Sequence, residues 1–102
     1  MMNQLCFYVG EKQHHAGMPL YEWLLEEAQG LGIHGGSAFR AIAGFGRHGR
    51  LHEETFFELA GELAVKVEFI LDDAITEQMM ERVRAQNLSV FYVRHKVQSG
   101  VI

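Results

Sequence analysis

With 102 residues, 48% of them hydrophobic and 22% charged, the chain has ordinary globular composition, and residues 1–102 are expected to form a single domain. The formal net charge of -4 argues against a generic nucleic-acid binder, whose affinity rests on excess Lys and Arg releasing counterions. Cys6 is the lone cysteine and cannot close an internal disulfide, no basic and apolar leader precedes the first strand, and no apolar run reaches the roughly twenty residues that span a bilayer. A cytoplasmic protein without membrane insertion is expected.

Leu5, Phe7 and Val9 alternate with Cys6 and Tyr8, the two-residue period of a strand, and Gly10 ends the run. A polar connection through His14 and His15 follows, with the two histidines placed in a loop. Pro19 then opens a helix in which Leu20, Trp23, Leu24, Ala28 and Leu31 recur at helical spacing, and Gly30 and Gly32 stop it. Residues 37–45 read as a second strand, with Phe39, Ala41, Ala43 and Phe45 on one face and Arg40 and Ile42 on the other. The clearest strand comes next: Leu63, Val65, Val67, Phe69 and Leu71 alternate strictly with Ala64, Lys66, Glu68 and Ile70. Asp72 or Asp73 supplies an N-cap for a second helix, whose Ile75, Met79 and Val83 share a face and whose Arg82 and Arg84 suit the negative end of the helix dipole. A last strand starts at Val90 and runs through Arg94, His95 and Lys96 toward a frayed end.

The order βαββαβ predicts an α+β, ferredoxin-like sandwich, a four-stranded antiparallel sheet with two helices on one face. Two helices leave the other face open to water or to another subunit. The alternation assigns Tyr8, Ile42, Ile70 and Tyr92 to that open face, together with Arg40, Lys66, Glu68 and Arg94. An apolar face with a few complementary charges suits a subunit interface, so closed cyclic assembly is expected. Residues 46–62 form a connection far longer than the two to five residues usual for a hairpin, and its Leu51, Phe56, Phe57 and Leu59 require a partner or ligand to leave water.

The chain is acidic, yet Arg40, His48, Arg47 and Arg50 fall in one stretch without an acid. Within it Gly44, Gly46 and Gly49 are spaced as G-x-G-x-x-G, but no convincing helix begins there and the segment joins two strands expected to be antiparallel, so as a dinucleotide fingerprint it is weak. Glycines let backbone N–H groups converge on an anion, and Arg47 and Arg50 can add forked hydrogen bonds to phosphate or carboxylate. The plainer alternative is that the glycines only permit a sharp bend. Two arginines favour the anion, and Arg40, Gly44, Gly46, Arg47, His48, Gly49, Arg50 and His52 are the candidate ligand-binding residues.

A second reading is a metal-binding protein or small-molecule enzyme that uses His48, His52 and Glu11 across a subunit boundary. His48 and His52 share a face of a helix or a strand, but His52-Glu53-Glu54-Thr55-Phe56 lacks the second histidine of H-E-x-x-H. Glu11 is expected on the opposite edge of the subunit from the base of the 46–62 segment, so only a neighbouring copy could bring them together. Ser37, Ser89 and Ser99 sit in no nucleophile motif, and Cys6 falls in a buried strand.

Several short stretches, in this order and spacing, resemble domain-of-unknown-function family 190, the PII-like proteins of bacteria and archaea. They are Phe7-Tyr8-Val9-Gly10-Glu11, Gly17-Met18-Pro19-Leu20-Tyr21, Phe39-Arg40, Ala43-Gly44-Phe45-Gly46 and His52. The resemblance covers nearly the whole chain. It implies a ferredoxin-like subunit assembling as a homotrimer, with the 46–62 segment in the place of the PII signalling loop. It further implies a signalling protein that binds a small anionic metabolite or a nucleotide and engages a protein partner through that segment. One departure stands out: PII proteins hold phosphates with a glycine-rich basic loop between the second helix and the last strand. Here Arg84-Ala85-Gln86-Asn87-Leu88 is short and has no glycine, which argues against an ATP site of the PII type.

Overall fold

A computed structural model describes residues 1–45 and 63–102 of the chain. In chain order its elements are β1 (Met2–Gly10), β2 (His14–His15), β3 (Met18–Pro19), α1 (Leu20–Gly30), β4 (Ser37–Arg40), β5 (Ala64–Asp72), α2 (Asp73–Arg84) and β6 (Phe91–Val97). The main sheet has the order β4-β5-β1-β6, and every neighbouring pair is antiparallel. Both helices pack on one face of it. This is the α+β ferredoxin-like sandwich that the element order predicts.

The alternation in β1 and β5 sets the core. Leu5 faces Phe69, Phe7 faces Val67 and Val9 faces Val65 across the ladder, and all six are buried beneath Leu20, Trp23, Leu24 and Ala28 of α1 and Met79, Met80 and Val83 of α2. Burying a side chain of this size contributes about 1.5–3 kcal/mol, so this single face supplies most of the driving force. Arg82 of α2 donates to Glu27 of α1 at 2.7 Å, tying the helices together at their solvent side.

The helix ends follow from local chemistry. Pro19 precedes α1 and has no N–H to satisfy, while the first helical N–H, that of Leu20, donates to the Gln13 carbonyl at 2.7 Å. At the other end Gly32, with φ of 82°, carries the left-handed turn: its N–H donates to Gln29 and that of Ile33 to Ala28, a Schellman closure. For α2, the Asp72 carboxylate accepts from the Ile75 N–H at 2.8 Å, and Arg82 and Arg84 occupy the last turn.

Three expectations are corrected. The second strand stops at Arg40 instead of continuing to residue 45; Ala41 adds one last hydrogen bond to Ala64, and Ile42 and Phe45 project into solvent. His14 and His15 are paired, not looped: with Met18 and Pro19 they make a small hairpin whose turn, Ala16 and Gly17, has positive φ at both residues. Finally, Arg40, Tyr92 and Arg94 do not lie on the open face. Arg40 is opposite Val65, Tyr92 opposite Phe7 and Arg94 opposite Leu5, and residues directly opposed in a ladder share a face. Arg94 accordingly reaches Glu77 of α2 at 2.6 Å. The edge strands carry weak period-two signals, because both of their faces mix polar and apolar residues.

Candidate functional site

The open face is organised in rows. One row crosses all four strands: Phe39 of β4 is opposite Lys66 of β5, Lys66 is opposite Tyr8 of β1, and Tyr8 is opposite Phe91 of β6. The Lys66 ammonium sits over the Phe39 ring at 5.3 Å from its centroid, and the Tyr8 and Phe91 rings are 5.7 Å apart and tilted by 54°. Such contacts contribute about 0.5–1.5 kcal/mol each and hold the row in place. The next row holds Ser37, Glu68, Cys6 and Val93. Glu68 lies 3.2 Å from Lys66, and its hydrogen bond holds the Lys66 ammonium above its ordinary pKa. Burial, aided by the Glu68 carboxylate, pushes the Cys6 thiol up, so Cys6 stays protonated and acts as packing.

At the β4 end of the first row the surface is hollowed by a cavity of about 260 Å³, lined by Tyr8, Phe39, Arg40, Ala41, Ala64 and Lys66. This is where the chain leaves β4 toward residues 46–62 and re-enters at β5. Arg40 is at the margin of the cavity, on the register that faces the helices, and its Nε lies 3.3 Å from Glu11 Oε2. Glu11 is fixed in turn by the tight turn after β1: its N–H donates to the Leu63 carbonyl, and Gln13 closes on Gly10 through both its backbone N–H and its side-chain oxygen. The expectation that Glu11 stands on the far edge of the subunit is therefore wrong. β1 is central, its end abuts the start of β5, and the chain itself brings Glu11 to Arg40.

Of the residues expected to bind ligand, Arg40 lines this cavity. Gly44 is exposed, and a Cβ built there meets nothing within 4 Å, so no steric demand for glycine acts at that position. Gly46, Arg47, His48, Gly49, Arg50 and His52 lie outside the described residues. Among the described residues no three His, Cys, Asp or Glu side chains come together as a metal site, and Glu11 is engaged by Arg40. Sequence reasoning misses Tyr8, Phe39 and Lys66 as site residues. The alternation does put Lys66 and Tyr8 on one face, but strand pairing alone reveals that they are opposite one another.

The cavity has Lys66 on its open-face side beside two aromatic rings and Arg40 at its margin on the opposite register, with each cation paired to a carboxylate, Glu68 and Glu11. An anion entering here meets side chains that can exchange a carboxylate for it, and the rings present a flat apolar surface to any planar part of the same molecule.

The family model DUF190, described as Uncharacterized ACR, matches residues 2–99. The chain belongs to the DUF190 family. A curated relative, the UPF0166 protein of Aquifex aeolicus (strain VF5), is 31% identical over 83 residues, spanning 81% of this chain and 79% of that one. Among solved structures, a Thermus thermophilus protein described as a candidate PII-like signalling protein superposes with a TM-score of 0.57 at 18% identity, covering 93% of this chain and 86% of that one. At that identity the match speaks to fold: this DUF190 chain has a PII-like fold. Among the described residues no helix is long and apolar enough to cross a membrane.

Proposed function

We propose that this DUF190 protein is a PII-like homotrimeric regulator, not a catalyst, in which a small anionic metabolite or nucleotide at the base of the 46–62 segment controls engagement of a protein partner. The observation that carries this reading is the cavity of about 260 Å³ between Tyr8, Phe39, Arg40 and Lys66, at the point where that segment departs and returns. Occupancy there acts on both ends of the segment at once, through Ala41 on one side and Ala64 on the other. Arg47 and Arg50, a few residues further on in the sequence, are the candidates to complete the anion's partners.

The assembly is supported by the open face. Phe39, Phe91 and Ile70 are 51%, 53% and 40% exposed there, an apolar surface that suits a subunit interface. Three copies packed through this face would enclose the aromatic rows and place the cavity next to a neighbouring subunit.

Native mass spectrometry of the purified protein, followed by isothermal titration with the co-purified compound and with a panel of nucleotides, tests the reading. The expected result is a trimer that binds one anionic compound, with affinity lost on Arg40→Ala or Lys66→Ala. A protein that binds nothing in the panel and keeps its partner contacts unchanged would instead be a ligand-independent adaptor. Among the described residues no observation favours the metal or enzymatic alternative.

A further inference from the structure

β4 covers β5 only from Val65 to Glu68, with Ser37 at its last paired position. Residues 69–72 of β5 therefore have a ladder to β1 on one side and, among the described residues, no strand on the other. Beside this edge lies a cavity of about 480 Å³, walled by the glycine-rich turn at residues 32–37, by β5 itself, and by Ile75 and Met2. A second cavity of about 260 Å³ lies on the other side of the same turn, between it and α1. The turn touches the sheet at Gly36, where a Cβ would come within 2.4 Å of the Phe69 ring, but it does not fill the space beside residues 70–72. A bare edge presents unpaired N–H and C=O groups and takes an added strand readily.

After β6, residues 98–102 have no regular structure, and Val101 and Ile102 are fully exposed. We infer that residues 98–102 of a second copy of this chain add as a short strand to the free edge of β5 at residues 69–72, filling the cavity beside it.

Reach decides between the chain's own segment and a second copy's. Val97 is opposite Met2, and Met2 opposite Asp72, so the segment starts on the same rung as the end of the free edge. To lie outside β5 it must cross three strand spacings, roughly 14 Å in all. Five extended residues span at most about 18 Å, so a chain's own segment is used up in crossing and cannot then run along four residues of edge. A neighbour's segment has no such limit. Chemistry agrees with pairing: Val101 and Ile102 are adjacent, so in a strand they point to opposite faces. One face of the edge offers Phe69, Leu71 and Ile75, and the other offers Ile70. Glu68 and Ile70 belong both to this groove and to the open sheet face, so the contact continues the subunit interface proposed above. The inference rests on the oligomeric part of that reading.

Two measurements test it. A copy carrying Cys6→Ser and Ile70→Cys is mixed with a copy carrying Cys6→Ser and Val101→Cys, exchanged, and treated with a short bismaleimide. The expected product is a covalent pair formed only in the mixture and identified by mass spectrometry as 70 joined to 101. No such pair in a sample that light scattering shows to be oligomeric overturns the inference and leaves the oligomer reading standing. A monomer at all concentrations overturns both. Independently, hydrogen exchange is compared between the unaltered chain and one ended after Val97. Amides within residues 70–72 are expected to exchange at least about tenfold faster in the shortened chain while those of β1 are unchanged; equal rates overturn the inference without any cysteine variant.

Discussion

The Nε of Arg40 lies 3.3 Å from the Glu11 carboxylate, and this one ion pair joins the turn after the central strand to the last residue of the edge strand. It also sets the terms on which an anion can bind. Arg40 is 63% exposed, so the pair itself contributes only about 0–1 kcal/mol to the fold, and a ligand that replaces Glu11 gives up little. Arg40→Ala should lower anion affinity about tenfold, since a hydrogen bond to a charged group contributes roughly 1.5–3 kcal/mol. Glu11→Gln should raise it, most clearly at low salt. Isothermal titration of the two variants and the double variant checks this. Equal affinities across the set would place the anion elsewhere.

The sequence makes the two central strands and the helices legible because burial on one face imposes a clean period, as in Leu5, Phe7 and Val9 or Val65, Val67 and Phe69. It does not make the edges legible. In β6 the run Phe91-Tyr92-Val93 is apolar at every position, so period alone cannot say which residue faces the helices, and pairing with β1 decides for Tyr92. The site is half visible. Arg40 stands out as a cation in a basic stretch, whereas Glu11 and Lys66 depend on the crossing order of the strands, which no local spacing reveals.

Gly36 should be among the positions least tolerant of a methyl group. A Cβ there would lie 2.4 and 2.7 Å from two Phe69 ring carbons and 3.2 Å from Leu25, and Phe69 is too deeply buried to turn aside. Gly36→Ala should cost about 1–3 kcal/mol, the usual cost of overpacking. Gly35→Ala, where a Cβ meets nothing within 4 Å, serves as the control. Urea unfolding of both variants measures the difference, and equal midpoints would show that the turn yields freely.

Stability should fall in acid partly through Asp73. Its hydrogen bonds, first to Lys96 and then to Asn3, lower its pKa from 3.8 to about 2. A carboxylate depressed in the folded state stabilises that state above its unfolded pKa, and the contribution is lost as pH falls from roughly 4 toward 2. The side chain is half exposed, so the effect is screened and should shrink in high salt. Urea midpoints for the unaltered chain should drop over that window. Asp73→Asn should be less stable at pH 7 and show a shallower drop; identical pH profiles would mean that Asp73 does not carry the effect.

Phe7 and Tyr8 are adjacent in β1 and point to opposite faces, and the two faces should answer to different measurements. Phe7 is in the core, opposite Val67 and beneath both helices, so Phe7→Ala should cost about 3–5 kcal/mol and lower the unfolding midpoint sharply. Tyr8 belongs to the open face with the Phe91 ring tilted against it. Replacing its partner by Phe91→Asp puts a charge at the β6 end of the proposed subunit interface, where burial without a counter-ion is strongly unfavourable, but on a surface that is wet in the separated subunit. The fold of the subunit should persist by circular dichroism while light scattering reports a fall from trimer to monomer. If Phe91→Asp leaves the trimer intact, the open face is not the interface, and the aromatic row running from Phe39 through Tyr8 to Phe91 must be explained by a different partner.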